Sequence, residues 1–328
     1  MELILANHSS YPRIGDDASG QLLRRAIAQR EKGEKTDADV QAAENRMTES
    51  ALAEQVEAGL DLVTDGLVRW HDPVSHLAGK LSGVKINGLL RFFDTNFYFR
   101  QPVVGGKIKR EKPLVVEEFL FAQARSPLPV KAVLTGPYTL ARLSIGQDAE
   151  TGKLTDLLDG YTRALAEEVA ALAAAGATVI QVDEPALLKH PEDFSLFESA
   201  VEALAARKAA VRLILAFYFG DAASLYPKLQ GLPADVLCLD FTYSPSLPEM
   251  VATDGSSRTI AFGLLDGRNT RLEDPDQLAR QLERMLGGWK ADAAYLTTSS
   301  GLEYLPRDRA QLKLRRLAAV KKTFLGSC

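Results

Sequence analysis

Short apolar runs rich in β-branched residues recur along the chain, each ending in polar residues or glycine and each followed by a stretch whose apolar positions have helical spacing. Eight runs have this character: Leu3 to Asn7, Leu62 to Gly66, Val130 to Gly136, Thr178 to Glu184, Val211 to Phe219, Asp235 to Phe241, Thr259 to Asp266 and Ala294 to Ser300. Strand and helix in alternation predict an α/β fold with a parallel sheet, and eight units predict a closed (β/α)8 TIM barrel. A doubly wound sheet would more often show five or six strands and a glycine-rich first turn, and no GxGxxG or GxxxxGK[ST] follows any run.

Helices are predicted over Ala18 to Lys32, Asp37 to Ala58, Leu154 to Ala175, Phe194 to Lys208, Asp276 to Leu286 and Arg309 to Phe324, all rich in Ala, Leu, Glu and Arg as an outer ring requires. Asn87 to Gly106 breaks the alternation. Its aromatic-rich sequence predicts a β-hairpin insertion between the second and third barrel strands, turning near Asp94, Thr95 and Asn96.

The length of 328 residues suits one barrel domain over residues 1–328, since such folds take about 250 residues plus insertions. Hydrophobic residues at 46% and charged residues at 25% describe a globular enzyme with a large core. A net charge of -4 without a basic stripe argues against nucleic acid as a partner. Cys238 and Cys328 form neither a disulfide framework nor a CxxC metal knuckle. With no basic leader ahead of an apolar segment and no apolar run of roughly 18 residues, the expected location is cytoplasmic, off the membrane.

Barrels carry chemistry at the C-terminal ends of their strands. There the sequence places His8, Ser9, Ser10 and Tyr11 on the first strand and Asp65, Arg69, Trp70, His71 and Asp72 on the second. The third strand supplies Thr135, Gly136 and Tyr138, the fourth Asp183 and Glu184, and the fifth Tyr218 and Asp221. Asp240 ends the sixth strand, Asp266 and Arg268 the seventh, and Ser299 and Ser300 the eighth. Any one aspartate after a strand is most simply a turn or capping residue. Four of them at one mouth, balanced by Arg69, Arg100 and Arg268, suit a small zwitterionic or cationic ligand. His8 fits a general base, a metal ligand, or a strand-end histidine bonded to a backbone carbonyl. Phe92, Phe93, Phe97, Tyr98 and Phe99 fit either an aromatic lid or a hairpin face packed on the barrel.

At these strand ends a family resemblance emerges. IQVDEPAL, Ile180 to Leu187, resembles the fourth-strand motif of the cobalamin-independent methionine synthases, and VKAVLTGPYTL, Val130 to Leu140, resembles their third-strand motif. GLDLVTDG, Gly59 to Gly66, and KPLVVEEFLFAQ, Lys112 to Gln123, extend the likeness over nearly the whole chain, as a single-barrel form of a family whose long members carry two barrels. The resemblance implies methyl transfer to homocysteine, activated in the family by zinc on a His-x-Cys pair after strand five, a Glu after strand six and a Cys after strand eight. Those positions here are Ala216, Tyr218, Asp240 and Ser300, so no metal site is expected. The family's amino-acid-binding Glu after strand two is matched by Leu67, its catalytic His by Arg268 and its pterin-stacking Trp by Leu143, while Ser10 and Asp183 match residues that grip the amino acid.

The resulting expectation is a methionine-synthase-like methyltransferase taking a methyl group from a folate or a corrinoid such as methylcobalamin, alone or through a partner protein. Asp183, Asp240 and His8 are its candidate catalytic residues, and Ser9, Ser10, Asp183, Glu184, Ser300 and Arg268 its candidate ligand contacts. Two alternatives share the barrel. One is a zinc-independent lyase or decarboxylase holding a carboxylate on the mouth arginines, as the superfamily resemblance to uroporphyrinogen decarboxylase suggests. The other is a non-catalytic binding barrel.

Overall fold

Seven strands pair side by side, all parallel, in the order β1 (Glu2–Leu5), β10 (Ala293–Thr298), β9 (Thr259–Leu265), β8 (Val236–Asp240), β7 (Arg212–Phe217), β6 (Val179–Asp183) and β4 (Ala132–Thr135). The computed structural model describes residues 1–148, 151–287 and 292–327, so Cys328 lies outside it. Parallel bridges from Leu62 to Ala6 and from Val63 to Val130 link the two edges of this sheet. Their backbone bonds are Asn7 N to Leu62 O at 3.1 Å and Lys131 N to Val63 O at 2.8 Å.

The second strand, expected over Leu62 to Gly66, is therefore reduced to two bridging residues. A side chain explains the shortening. Buried Gln55 donates to Thr64 O and accepts from Thr64 N, both at 2.9 Å, and so takes the place of a neighbouring strand. Gly66 and Leu67 then turn the chain away with φ of 73° and 51°. The remaining predicted strands are found with ends shifted by one or two residues, and their near-continuous burial is what a sheet covered by helices requires.

The predicted helices are present with small shifts at their ends. Asp37–Glu57 starts on a capping box in which Asp39 N donates to Thr36 Oγ1 at 3.3 Å and Thr36 N to Asp39 Oδ2 at 2.8 Å. Pro275–Leu286 starts on Asp274, whose Oδ1 accepts from Asp276 N at 2.9 Å, with proline at the first helical position. Arg307–Ser327 begins two residues before expectation.

The hairpin is longer than Asn87 to Gly106. It pairs β2 (Ser82–Arg91) with β3 (Tyr98–Lys109), and β5 (Ile145–Gly146) adds to β3 in a separate three-stranded sheet. Its turn is where expected, with Phe92 N donating to Phe97 O at 2.8 Å and Thr95 Oγ1 to Phe92 O at 2.5 Å. The extra length comes from Val84 and Ile86, which alternate with polar residues and pack partly buried against the core.

Candidate functional site

The hairpin folds its tip over the C-terminal mouth of the barrel. Phe92 and Phe93 meet Phe219, which follows β7, at ring separations of 6.2 and 5.9 Å, and Phe97 meets Tyr304, beyond β10, at 4.8 Å. Phe93, Phe219 and Leu67 carry positive φ, a conformation that costs energy in residues with a Cβ and is held here by packing around the mouth. Under this cover lies a cavity of about 260 Å³, at the small end of the roughly 300–1,000 Å³ usual for ligand sites. Trp70, Leu67 and Phe97 wall it, and Ser10, Arg13, His71 and Glu303 line it with polar groups.

Three side-chain atoms around this cavity are shut off from solvent and have no hydrogen-bond partner: Ser10 Oγ, Arg13 Nη2 and Glu303 Oε2. Buried polar atoms are nearly always paired, so a cluster of unpaired ones marks where a ligand would complete the bonding. Ser10 and Glu303 both line this cavity, and their unpaired oxygens lie close together over Gly301. A Cβ added to Gly301 would lie 2.0 Å from the first and 2.4 Å from the second, with Ser9 Oγ at 3.0 Å. Burial pushes the Glu303 carboxyl up to about 7 against hydrogen bonding from Tyr304, and the charge of Asp183 adds to the rise. Arg13 spends its other terminal nitrogen on Trp70 O at 2.7 Å.

Asp183 ends β6 at the barrel axis. Gln181 Nε2 donates to its Oδ1 at 2.7 Å and the Tyr218 hydroxyl to its Oδ2 at 3.2 Å, while burial pushes the carboxyl up to about 6. Beneath it, Lys131 donates to Gln181 Oε1 at 2.5 Å and to His8 O at 2.8 Å, and desolvation lowers its ammonium to about 8. His8 is fully enclosed. Its Nδ1 pairs with Ser9 Oγ at 2.9 Å, its ring meets Tyr218 edge-on at 5.2 Å, and burial together with Lys131 holds its pKa well below the ordinary value, leaving a neutral imidazole.

Other expected contacts are turned elsewhere. Glu184 leaves the mouth: Oε1 accepts from Tyr138 N, and Oε2 from Thr139 N and Thr139 Oγ1. Asp240 ties two loops together, Oδ1 accepting from Thr242 N at 2.8 Å and Thr242 Oγ1 at 2.7 Å and Oδ2 from Phe219 N at 3.4 Å. Ser300 Oγ donates to Gly301 O at 3.3 Å. Arg268 lies over the rings of Tyr243 and Phe219, at 4.3 and 4.8 Å. Arg69 bonds Asn45 and stacks on Phe121, and Arg100 is exposed. The three arginines expected to balance the aspartates therefore do not converge.

A zinc ion does not fit the positions the family resemblance assigns to it. Ala216 has no side-chain donor atom, the Tyr218 hydroxyl serves Asp183, Ser300 lacks a thiolate, and the remaining Asp240 carboxylate is hydrogen-bonded to Thr242 and Phe219. Among the described residues no three His, Cys, Asp or Glu side chains are grouped to hold a metal ion. Glu303, Arg13 and Lys131 escaped the strand-end reading. Glu303 and Arg13 lie three residues beyond the strand-end serines Ser300 and Ser10, and Lys131 is a charge within an apolar run, which like Gln181 in the next strand signals a polar barrel interior.

Among solved structures, a B12-independent methionine synthase from Shewanella sp. W3-18-1, in complex with selenomethionine, superposes with a TM-score of 0.81 at 20% identity over 100% of this chain and 99% of that one. A vitamin-B12 independent methionine synthase from Listeria monocytogenes gives 0.75 at 18% identity, covering 96% of each chain. Both support the TIM-barrel fold. A methionine synthase of Sulfurisphaera tokodaii is 33% identical over 93% of this chain and 87% of its own length, and one of Saccharolobus solfataricus is 30% identical over 93% and 90%. With the model of the cobalamin-independent synthase catalytic domain matching residues 10–323 as well, the chain belongs to the cobalamin-independent synthase family.

Proposed function

We propose that this barrel transfers a methyl group to the thiol of homocysteine or a related thiol amino acid, from a methylated reduced folate or a corrinoid donor. One observation carries the reading: the largely apolar cavity of amino-acid size at the mouth, with the Ser10 hydroxyl unpaired at its wall, in a chain whose relatives are methionine synthases. The apolar wall would take the thioether arm, and Ser10 and Arg13 would take the carboxylate through charge-assisted bonds.

A thiol with a pKa near 8.5 needs help at neutral pH. Since the zinc positions lack ligands, proton removal falls to the chain's own bases. His8 is the base of this reading: Ser9 fixes its Nδ1, which leaves Nε2 as the atom to take the proton, while burial and Lys131 oppose the charge the ring would gain. The S–H proton passes to His8, the new S–CH3 bond forms as the donor's bond to the methyl breaks, and the electron pair of that bond stays with the donor. With a folate donor the released nitrogen takes up a proton in turn.

The test is to incubate the purified protein with homocysteine and either N5-methyltetrahydrofolate or methylcobalamin, and to quantify methionine. Turnover with either donor supports the reading. Ligand binding without turnover on any donor would turn it into a binding barrel. With Arg69, Arg100 and Arg268 scattered, the decarboxylase alternative keeps only Arg13 at the cavity in place of the three arginines it was given.

A further inference from the structure

We propose that Glu303, on the loop after β10, is the carboxylate that receives the ammonium group of the amino-acid ligand, with Asp183 as its neighbour across the seat. The inference rests on the amino-acid reading above and names a residue of that site.

Three observations converge on Glu303. Its Oε2 is sealed from solvent without a partner, although one carboxyl oxygen in such a place normally takes a donor. It stands beside the equally unpartnered Ser10 Oγ on the wall of the same cavity, and glycine at position 301 lets the two approach: a Cβ there would meet both atoms at 2.4 Å or less. Asp72 is the other carboxylate lining this cavity, and both of its oxygens are already taken, Oδ1 by Val74 N and Ser75 N and Oδ2 by Ser75 Oγ and Arg100 N.

Asp183 alone is a poorer receiver. Both of its oxygens already accept, from Gln181 and from Tyr218, and Lys131 contributes positive charge nearby. The field of Asp183 reaches Glu303, and each carboxyl is held toward its neutral form by burial. An ammonium placed between them would relieve both, donating to Glu303 Oε2 while its charge offsets that of Asp183. With Ser10 and Arg13 on the carboxylate, the two ends of a zwitterion would be told apart by groups on different loops.

The experiment is calorimetric titration of wild type, Glu303→Gln and Glu303→Asp with L-methionine and with its deaminated analogue 4-(methylthio)butanoate, together with melting curves. Wild type is expected to prefer methionine over the analogue. Glu303→Gln is expected to lose affinity for methionine by roughly tenfold to a hundredfold, as for a lost charge-assisted bond, while binding the analogue as wild type does. Glu303→Asp, which keeps the charge on a shorter arm, is expected to fall between them. If wild type binds methionine and Glu303→Gln binds it equally well, Glu303 is not the receiver, though the amino-acid reading survives. Should Glu303→Gln fail to fold, equal wild-type affinity for methionine and the analogue overturns the proposal by itself. A wild type that binds neither compound overturns the amino-acid reading and this inference with it.

Discussion

Glu184 holds Thr139 by two donors at once: its Oε2 accepts from Thr139 N at 2.7 Å and from Thr139 Oγ1 at 2.6 Å, while Oε1 takes Tyr138 N at 3.0 Å. The end of β6 is thereby clamped to the start of the helix Pro137–Arg142, whose first turn lacks a side-chain cap of its own. Gly136 permits the approach, since a Cβ there would lie 2.1 Å from Glu184 Oε1. Glu184→Gln presents an amide N–H where a donor already points, and is expected to cost about 1–3 kcal/mol in urea unfolding with no change in methionine affinity. Full stability with lost affinity would instead make Glu184 part of the ligand site.

Gly301→Ala tests the close approach of Ser10 and Glu303. The added methyl would collide with Ser10 Oγ and Glu303 Oε2 and push both from their places, so methionine binding should be abolished. The fold should survive, because the atoms the methyl meets are side-chain ends rather than backbone. Methionine affinity equal to wild type in a well-folded Gly301→Ala protein would show that the ligand does not use these two oxygens.

The strand-helix alternation made the barrel legible, because parallel strands buried on both faces must be apolar throughout and their helices must be amphipathic. The second strand was overread because Leu62 to Gly66 has the right pattern, yet Gln55, from a preceding helix, takes up the backbone of Thr64. Ser10 and Asp183 were readable as strand-end residues. Glu184 was misplaced because adjacent residues at a strand end point opposite ways, and spacing alone does not say which faces the mouth. Glu303 was invisible since it reaches the cavity from a loop, where position in sequence sets no direction.

Protein purified from zinc-replete cells is expected to hold well under one zinc per chain, and EDTA should shift neither its melting temperature nor its affinity for methionine. The reason is chemical: Ala216, Tyr218 and Ser300 leave Asp240 as the sole family-position ligand, and a lone carboxylate does not retain zinc against a chelator. One zinc per chain surviving dialysis, by atomic emission, would place a metal site elsewhere and reopen metal-activated thiol chemistry.

Affinity for methionine should rise from about pH 6 to about pH 8. Burial raises Asp183 to about 6 and Glu303 to about 7, so in the free protein both carry protons at the acid end of this window. An arriving ammonium must displace those protons, which costs affinity below the raised pKa and costs nothing above it. Removing the higher of the two groups in Glu303→Gln should flatten the part of the profile near pH 7. A wild-type profile that is flat or falls with pH would contradict carboxylates as the ammonium receivers.

Asp183→Asn separates a structural aspartate from a ligand-binding one. An aspartate at the end of a strand most often caps the helix that follows, but here the helical turn Pro185–Lys189 starts from Glu184 without any side-chain cap bond, and Asp183 accepts from Gln181 and Tyr218 instead. Asparagine keeps an oxygen for Gln181 and offers its amide to the Tyr218 oxygen, so both bonds have replacements. It also removes a charge whose burial is unfavourable at neutral pH, as the raised pKa records: the protonated form is favoured in the fold, so ionising the carboxyl subtracts stability once pH exceeds its unfolded value. The melting temperature of Asp183→Asn at pH 7 should therefore match or exceed that of wild type. Its affinity for methionine should fall by roughly one to two decades, the worth of one charge-assisted contact to the ammonium. Calorimetry beside melting curves gives the decision. Lower stability with intact binding would return Asp183 to the barrel's internal hydrogen-bond network, with no part in holding the ligand.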